Sequence, residues 1–243
     1  MKQVRLLLLR HGECEGGAIL RGRVDVPLSE KGWQQMSAAV EVQASTCSAI
    51  YSSTSRRCGE FAQAFAAELH STAALISESR PLQAQFLSGL QEINFGDWDG
   101  RRLDELYQQE GERLAAYWQN PWQTPPPNGE TMASFESRVN GAIDQIIAAE
   151  FERLTVDSQN AELAVGASLG VSVAAGELAA KVWVVTHGGV IRHLMARALG
   201  VERAVGFYSQ LDLPVAAVVS INVLQDEHGV CYWRLDRPSG RCE

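Results

Sequence analysis

Two short apolar runs predict strands that are buried on both faces. The first, at residues 6–9, is four leucines followed by Arg10, His11 and glycine; the second, at residues 181–186, is followed by His187 and glycine. Continuous apolar runs of this length are typical of interior strands in a parallel sheet. Each run therefore delivers a histidine to the carboxyl end of a strand, where open α/β sheets bind their ligands.

Between these runs, apolar residues recur at helical spacing. Ser29 is a suitable N-cap for a helix that runs to about Val42. Further helices are predicted at residues 57–69, 103–118 (as one or two short helices), 131–154 and 190–199. Additional strands are predicted at 49–52, near 74–76, at 215–224 and at 230–235. Residues 155–180 show little periodicity and are interpreted as an insertion or mobile loop.

Composition narrows the classes of partner. The chain has 243 residues, 21% of them charged, and a formal net charge of -8 with a pI near 5.2. This acidic balance argues against nucleic acid or an anionic membrane as the main partner, so a basic site has to be a local pocket. The five cysteines form no C-x-x-C pair, and no signal peptide or spanning segment is recognisable. We therefore expect a cytoplasmic protein without a disulfide framework or zinc site.

Three positions suggest anion chemistry before any family is considered. Arg10 and His11 at a strand end predict an anion site with a reactive histidine; ordinary strand-end residues are the alternative. Arg56 and Arg57 open a helix, where acidic residues are usual; a bound anion, or one surface arginine beside one with a buried stem, explains this equally well. Glu92, between apolar neighbours, is a candidate general acid, although this stretch taken alone favours a solvated loop carboxylate.

Six motifs in order carry a family resemblance. They are LLLLRHGE, RGRVDVPLSEKGWQQ, YSSTSRRC, LQEINFGDWDG, PPNGET and VVTHGGVIR, within residues 6–199. This series resembles the histidine phosphatase (phosphoglycerate mutase-like) superfamily. The resemblance implies an α/β fold, a three-layer αβα sandwich with a mostly parallel central sheet. It also implies a single domain over residues 1–243, in which a region of about 96–130 covers the active site.

The resemblance also assigns roles to residues of this chain. His11 would be the phosphorylated nucleophile, Glu92 the acid for the leaving oxygen, and Arg10, Arg57 and His187 the phosphoryl ligands. These five are the expected catalytic residues. The expected substrate-binding set adds Gly17, Arg21, Gly22, Arg23 and Gly188. No metal or cofactor is implied, and Arg10 and Arg57 would repel the cation of a metallohydrolase.

Two departures from the family pattern affect this set. Gly17 stands where the family usually has a phosphate-contacting asparagine, so that contact is lost or supplied by the backbone. Thr54 and Ser55 replace the commoner Asp-Leu, and the family arginine is aligned to Arg57 rather than Arg56. Arg21 and Arg23 are expected to compensate at the rim of the pocket.

The substrate is predicted from two finer resemblances. The stretch FGDWDG resembles the phosphatase branch, and EGGAILRGRVDV resembles bacterial α-ribazole phosphatases. We expect a metal-independent phosphomonoesterase, a monomer or homodimer, acting through a phosphohistidine on a small phosphorylated metabolite such as α-ribazole 5′-phosphate in cobalamin synthesis. A broad sugar-phosphate phosphatase, a phosphoglycerate mutase and a non-catalytic phosphate-binding protein are the alternatives. Trp98, Trp118 or Trp122 is expected either to stack on the substrate or to pack in the core.

Overall fold

A six-stranded sheet forms the middle layer of the protein. The computed structural model describes residues 1–42, 47–74, 82–166 and 178–236. Its strands are β1 (Lys2–Arg10), β2 (Ala49–Ser52), β3 (Ala84–Phe86), β4 (Leu178–Thr186), β5 (Val218–Gln225) and β6 (Cys231–Leu235). They lie in the order β3-β2-β4-β1-β5-β6. The first four in this order run parallel, whereas β5 and β6 are antiparallel to their neighbours.

Helices cover both faces of this sheet. They are α1 (Glu30–Glu41), α2 (Arg56–Ala74), α3 (Leu103–Gln119), α4 (Met132–Gly166), α5 (Gly188–Leu199) and the short α6 (Phe207–Gln210). Single 3-10 turns lie at Ser88–Leu90 and Gly96–Trp98. The predicted N-cap of α1 is confirmed, because the Ser29 hydroxyl accepts a hydrogen bond from the Gly32 N–H at 3.1 Å. Glu110 interrupts α3 with non-helical backbone angles, which agrees with the prediction of one or two helices there.

The leucines of β1 show why the sheet is buried on both faces. Leu6 and Leu8 pack into the core formed with α3, α4 and α5, whereas Leu7 and Leu9 pack into the core formed with α1 and α2. All four are fully buried. Because neighbouring side chains of a strand point to opposite faces, a continuous leucine run fills both cores. The predicted αβα sandwich with a mostly parallel sheet is confirmed.

One predicted strand is displaced along the chain. Ala74 is the last residue of α2, and positions 75–76 lie outside the described residues. The third strand is β3, which pairs in parallel with β2 so that Ala84 faces Ile50. β3 has three residues at the edge of the sheet and is partly exposed, so its sequence carries no clear apolar alternation. Pairing with β2, rather than a local pattern, defines this strand.

The predicted loop at residues 155–180 is wrong at both of its ends. Residues 155–166 continue α4, and β4 begins at Leu178; the positions between lie outside the described residues. From Thr155 to Asn160 the helix is half-buried or exposed, so no apolar stripe marks it. The first residues of β4 pair with the start of β1, with Leu178 facing Lys2, a partner far away in sequence.

The sheet brings the two predicted histidines together. β1 and β4 are parallel neighbours, and Arg10 lies opposite Thr186, so His11 and His187 leave the sheet side by side. The His11 N–H still donates to the Thr186 carbonyl at 3.0 Å. β2 ends at the same edge and is followed by Ser53 and the start of α2.

Among the helices of the described residues, none is both long enough and apolar enough to cross a membrane.

Candidate active site

His11 and His187 form the centre of the site. Their ring centroids lie 5.3 Å apart with an interplanar angle of 65°. Burial, followed by the charge of Arg57, lowers the pKa of His11 from 6.5 to about 3. The same two causes lower the pKa of His187 well below its ordinary value. Both imidazoles are therefore neutral near pH 7, a requirement for a nitrogen nucleophile.

A hydrogen bond defines which nitrogen of His11 carries the proton. Its Nδ1 lies 2.9 Å from the Gly12 carbonyl oxygen. A carbonyl can only accept, so Nδ1 carries the proton and Nε2 carries the free lone pair. His187 is oriented separately, because its Nε2 lies 2.8 Å from the Ser53 hydroxyl.

Arg57 lies inside the protein, whereas its neighbour Arg56 does not. The Arg57 side chain is fully buried and donates to the carbonyls of Gly22 at 2.8 Å and Val24 at 2.9 Å. Its Nε finds no acceptor among the described residues. Arg56 is more than half exposed and pairs with Glu60 at 2.7 Å. Of the two arginines, the structure brings only Arg57 to the histidines.

Two further arginines approach His11 from the cavity side. Arg10 donates to the Leu213 carbonyl, and Arg21 donates to the Gly17 carbonyl of its own loop. The Nε atoms of both are buried without an acceptor among the described residues, as in Arg57. Buried N–H groups are nearly always hydrogen-bonded in folded proteins. Three such donors beside one imidazole make this part of the structure a candidate anion-binding site.

The described carboxylates do not neutralise these cations. Elsewhere in the protein, arginines such as Arg138 and Arg197 form ion pairs with acidic residues, at 2.7 and 2.8 Å. Within the described part of the chain, no carboxylate oxygen lies within 4 Å of a side-chain nitrogen of Arg10, Arg21 or Arg57. The site is therefore a local positive pocket in an acidic protein.

Asp99 holds the loop that in turn holds Arg57. Its carboxylate accepts the backbone N–H groups of Gly22 at 3.0 Å, Arg23 at 2.5 Å and Val24 at 3.2 Å. Sequence reasoning did not assign this role to Asp99; its place in the FGDWDG motif was the available signal. These contacts also occupy Gly22, which was predicted to bind substrate: its N–H bonds to Asp99 and its carbonyl bonds to Arg57.

Arg23 differs from Arg21 in its exposure. Its side chain is exposed and lines neither of the two cavities beside His11. Gly17 and Arg21 do line the second of these cavities, of about 500 Å³. The backbone of Gly17 has a positive φ of 69°. Arg21 lines both cavities and Arg23 lines neither, and the compensation expected of them stays a prediction.

Glu92 is buried on the other side of His11. One carboxylate oxygen accepts the Gly189 N–H at 2.9 Å and the other accepts the Ile93 N–H at 3.0 Å. A side chain at position 189 would collide with this carboxylate, because an added Cβ would lie 2.2 Å from Glu92 Oε1. Glycine at this position is explained by the approach of the acid to the start of α5.

An arginine–carboxylate pair positions the loop that carries Glu92. Arg138 donates to the Glu92 carbonyl at 2.9 Å and pairs with Glu130 at 2.7 Å. Glu130 also accepts the Asn94 N–H at 3.2 Å. Sequence reasoning missed Arg138, and the PPNGET motif containing Glu130 was the only local sign of this support.

A cavity of about 360 Å³ opens in front of His11 and Glu92. Gly188 and Gly189 line it at the start of α5, together with Arg192, which sequence reasoning did not single out. Its remaining wall is mostly apolar and aromatic: Ile19, Leu20, Phe95, Leu103, Tyr117, Trp118, Pro121, Met132, Phe135 and Tyr208 among others. Several of these come from the region 96–130.

The three tryptophans near the cavity differ in position. Trp98 is fully buried and donates to Glu110 at 2.8 Å, so it packs in the core. Trp122 donates to the Glu202 carbonyl at 2.8 Å and does not line the cavity. Trp118 is half-buried and lines the cavity. It is the one of the three that a substrate can contact there.

Comparison with known proteins identifies the family. The model of the histidine phosphatase superfamily (branch 1) matches residues 6–158. This chain belongs to the histidine phosphatase superfamily. The superfamily predicted from the six motifs is confirmed, and so is the predicted enzyme class, phosphoric monoester hydrolase.

Individual relatives of this histidine phosphatase are moderately similar. An adenosylcobalamin/alpha-ribazole phosphatase of Escherichia coli (strain K12) is 28% identical over 222 residues, which are 90% of this chain and 91% of the relative. Phosphoserine phosphatase 1 of Hydrogenobacter thermophilus is 29% identical over 146 residues, 59% of this chain and 64% of that protein. A mycobacterial glucosyl-3-phosphoglycerate phosphatase with VO3 superposes with a TM-score of 0.71 at 24% identity, covering 96% and 97% of the two chains. This last likeness shows the fold.

Two cysteines lie next to the histidines of this histidine phosphatase. Cys14 Sγ is 3.4 Å from His11 Nδ1, and Cys58 Sγ is 3.7 Å from His187 Nε2. Burial raises the pKa of both thiols, so both are protonated near neutral pH. Among the described residues, no group of three or more histidine, cysteine and acidic side chains is arranged to hold a metal ion.

Proposed function

We propose that this chain is a metal-independent phosphomonoesterase that transfers a phosphoryl group to His11 and then to water. The observation that carries the proposal is the environment of His11. Its Nε2 has a free lone pair, and three arginines beside it, Arg10, Arg21 and Arg57, have buried Nε donors without acceptors among the described residues. A neutral nucleophile surrounded by unpaired cations suits a phosphate ester dianion.

In the first half-reaction, His11 Nε2 attacks phosphorus. The N–P bond forms as the bond between phosphorus and the alcohol oxygen breaks, and the protonated Glu92 carboxyl gives its proton to that oxygen. Nδ1 stays hydrogen-bonded to the Gly12 carbonyl, which stabilises the charge that develops on the ring. Arg10, Arg57 and His187 bind the phosphoryl oxygens, and catalysis rests mainly on positioning and charge stabilisation.

In the second half-reaction, water enters after the alcohol has left. The Glu92 carboxylate removes a proton from water, whose oxygen attacks phosphorus and breaks the N–P bond. Inorganic phosphate and neutral His11 result, and Glu92 is again protonated, so the cycle needs no metal or cofactor. Arg21 and the N–H of Gly188, at the start of a twelve-residue helix, are additional phosphate donors in this proposal.

We infer that the substrate is a phosphomonoester of a nucleoside-like or sugar alcohol, with α-ribazole 5′-phosphate as the leading candidate. The Escherichia coli relative, an adenosylcobalamin/alpha-ribazole phosphatase, supports this choice. The cavity beside Glu92 also supports it, because its walls are aromatic and about 360 Å³ would accommodate a nucleoside-sized group. Trp118 is the indole available for stacking.

The test is a kinetic screen over phosphorylated metabolites in the presence of EDTA. We expect kcat/KM for α-ribazole 5′-phosphate to exceed that for hexose phosphates by about 10²-fold. A flat profile would favour a broad phosphatase, and interconversion of phosphoglycerates would favour a mutase.

A matched variant separates the covalent mechanism from simple phosphate binding. His11→Ala should lose at least about 10³-fold in kcat, and brief mixing with labelled substrate should trap acid-labile phosphate only on the protein that retains His11. Cys14→Ser, which changes a neighbour of the same ring, is the control. Turnover by His11→Ala near the wild-type level would reject the mechanism.

A further inference from the structure

A chain of polar side chains crosses from the surface to the wall of the substrate cavity. Arg197 Nη1 lies 3.2 Å from Asn140 Oδ1, and the same oxygen lies 3.0 Å from His193 Nε2. The other nitrogen of His193, Nδ1, lies 3.0 Å from the Tyr208 hydroxyl. His193 is fully buried, and Tyr208 lines the cavity. The catalytic proposal uses none of these four residues.

The direction of every hydrogen bond in this series of side chains follows from Arg197, its first member. A guanidinium can only donate, so the Asn140 atom facing Arg197 is the amide oxygen, which can only accept. His193 Nε2 must therefore carry a proton and donate it to Asn140. Burial lowers the pKa of His193 to about 4, so near pH 7 the ring has only that one proton. Its Nδ1 is an acceptor, and the Tyr208 O–H donates to it.

This arrangement leaves the Tyr208 oxygen with lone pairs only. Because its hydrogen is directed at His193, Tyr208 can accept a hydrogen bond from a ligand but cannot donate one. Tyr117 and Tyr208 lie on facing elements of the cavity wall, α3 and α6, and most other residues of this wall are aromatic or apolar. A ligand without a donor at this point leaves the lone pairs of the Tyr208 oxygen without a hydrogen bond.

We propose that Tyr208 is a specificity-determining residue that accepts a hydrogen bond from a hydroxyl group of the alcohol half of the substrate. His193 and Asn140 are positioning residues that keep the Tyr208 hydrogen away from the cavity. The proposal rests on the phosphomonoesterase activity proposed above and adds one requirement to it: the alcohol half must present a hydrogen-bond donor at the aromatic wall. A sugar or nucleoside hydroxyl meets this requirement.

The first test compares esters with and without individual hydroxyl groups. The substrates are adenosine 5′-monophosphate and ribose 5-phosphate, the monodeoxy analogues of each, and p-nitrophenyl phosphate, whose alcohol half has no donor. Wild-type enzyme should prefer a hydroxylated ester over one of its deoxy analogues by about tenfold in kcat/KM. Tyr208→Phe should reduce this ratio to within about twofold of unity. The exposed Tyr107→Phe is the matched control.

The second test addresses the positioning residues. Asn140→Leu removes the acceptor for His193 Nε2, so the ring can place its proton on Nδ1 and the Tyr208 hydrogen can turn into the cavity. The preference for the hydroxylated ester should fall, while p-nitrophenyl phosphate turnover stays within about twofold. Asn140→Asp, which keeps an acceptor oxygen, should restore the preference. A role in packing alone would not produce this rescue.

The outcomes separate the two proposals. Failure of wild-type enzyme to hydrolyse any of the esters, including p-nitrophenyl phosphate, would reject the phosphomonoesterase and with it this inference. Hydrolysis with no preference for any hydroxyl, or with a preference that survives in Tyr208→Phe, would reject the role of Tyr208 alone. Loss of the preference in both Asn140 variants would reject the relay through His193.

Discussion

Arg57→Ala is the perturbation that tests the candidate site most directly, because the chain supplies its own control one residue earlier. Arg57 is fully buried, is the largest charge acting on the pKa of His11, and donates to two loop carbonyls. Arg56 is exposed and forms an i,i+4 pair with Glu60. The two substitutions remove the same side chain from the same helix turn, so general effects on α2 are matched.

The expected magnitude follows from these contacts. A hydrogen bond to a charged partner contributes roughly 1.5–3 kcal/mol, and Arg57→Ala removes such bonds to the phosphoryl group and loosens the loop at Gly22 and Val24. A combined loss of about 3–4 kcal/mol in transition-state binding corresponds to a decrease of about 10²–10³-fold in kcat/KM. An exposed helical ion pair contributes only about 0.3–0.5 kcal/mol to stability, so Arg56→Ala should stay within about twofold of wild type in activity.

The assay is the kinetics of p-nitrophenyl phosphate hydrolysis, with inhibition by inorganic phosphate as a second readout. Arg57→Ala should raise the inhibition constant of phosphate, and Arg57→Lys should recover part of it, since it keeps the charge but loses the fork. Thermal unfolding of each variant shows whether the fold is retained. Equal losses in both alanine variants, or a larger loss in Arg56→Ala, would refute the assignment.

Two further predictions concern the acid and the buried histidines. Glu92→Gln should slow alkyl phosphates far more than p-nitrophenyl phosphate, whose leaving group barely needs a proton; equal slowing of both in steady-state assays would contradict the role of Glu92. Burial is the main reason why the pKa of His11 is lowered to about 3 and that of His193 to about 4. Below pH 6.5 the unfolded chain therefore binds more protons than the folded protein. The free energy of unfolding should therefore fall as the pH drops below 6.5, by about 2 kcal/mol per histidine at pH 5. Urea unfolding at pH 7 and pH 5 measures this, and His193→Gln should show a smaller decrease than wild type; an equal decrease would refute the contribution of His193.

Local patterns were sufficient for the elements that organise the site. The apolar runs before His11 and His187 fill both cores of the sandwich, so their burial is visible in the sequence itself. The N-cap at Ser29 was also predictable from local sequence, because a cap uses only neighbours within three residues. The order of the motifs was enough to predict the superfamily, and the match of its family model to residues 6–158 confirms this prediction.

Features that depend on distant partners were not predictable in this way. β3 is defined by its pairing with β2. Residues 155–160 of α4 carry no apolar stripe because they are half-buried or exposed. The role of Asp99 depends on three N–H groups about 75 positions earlier in the chain. Arg23 looked equivalent to Arg21 in the sequence, yet only Arg21 lies at the cavities.

The sequence by itself determined the layers, the strand ends and the set of chemical groups that this protein brings to its site. Tertiary structure alone decided which of those groups meet and which way their protons point. The hydrogen bonds from Asn140 through His193 to Tyr208 join α4, α5 and α6. Their direction depends on contacts between these helices, which the spacing of residues in the sequence does not show. The physical reason is that periodicity reports the burial of each residue, whereas hydrogen-bond direction depends on partners that only the folded chain brings within 3 Å.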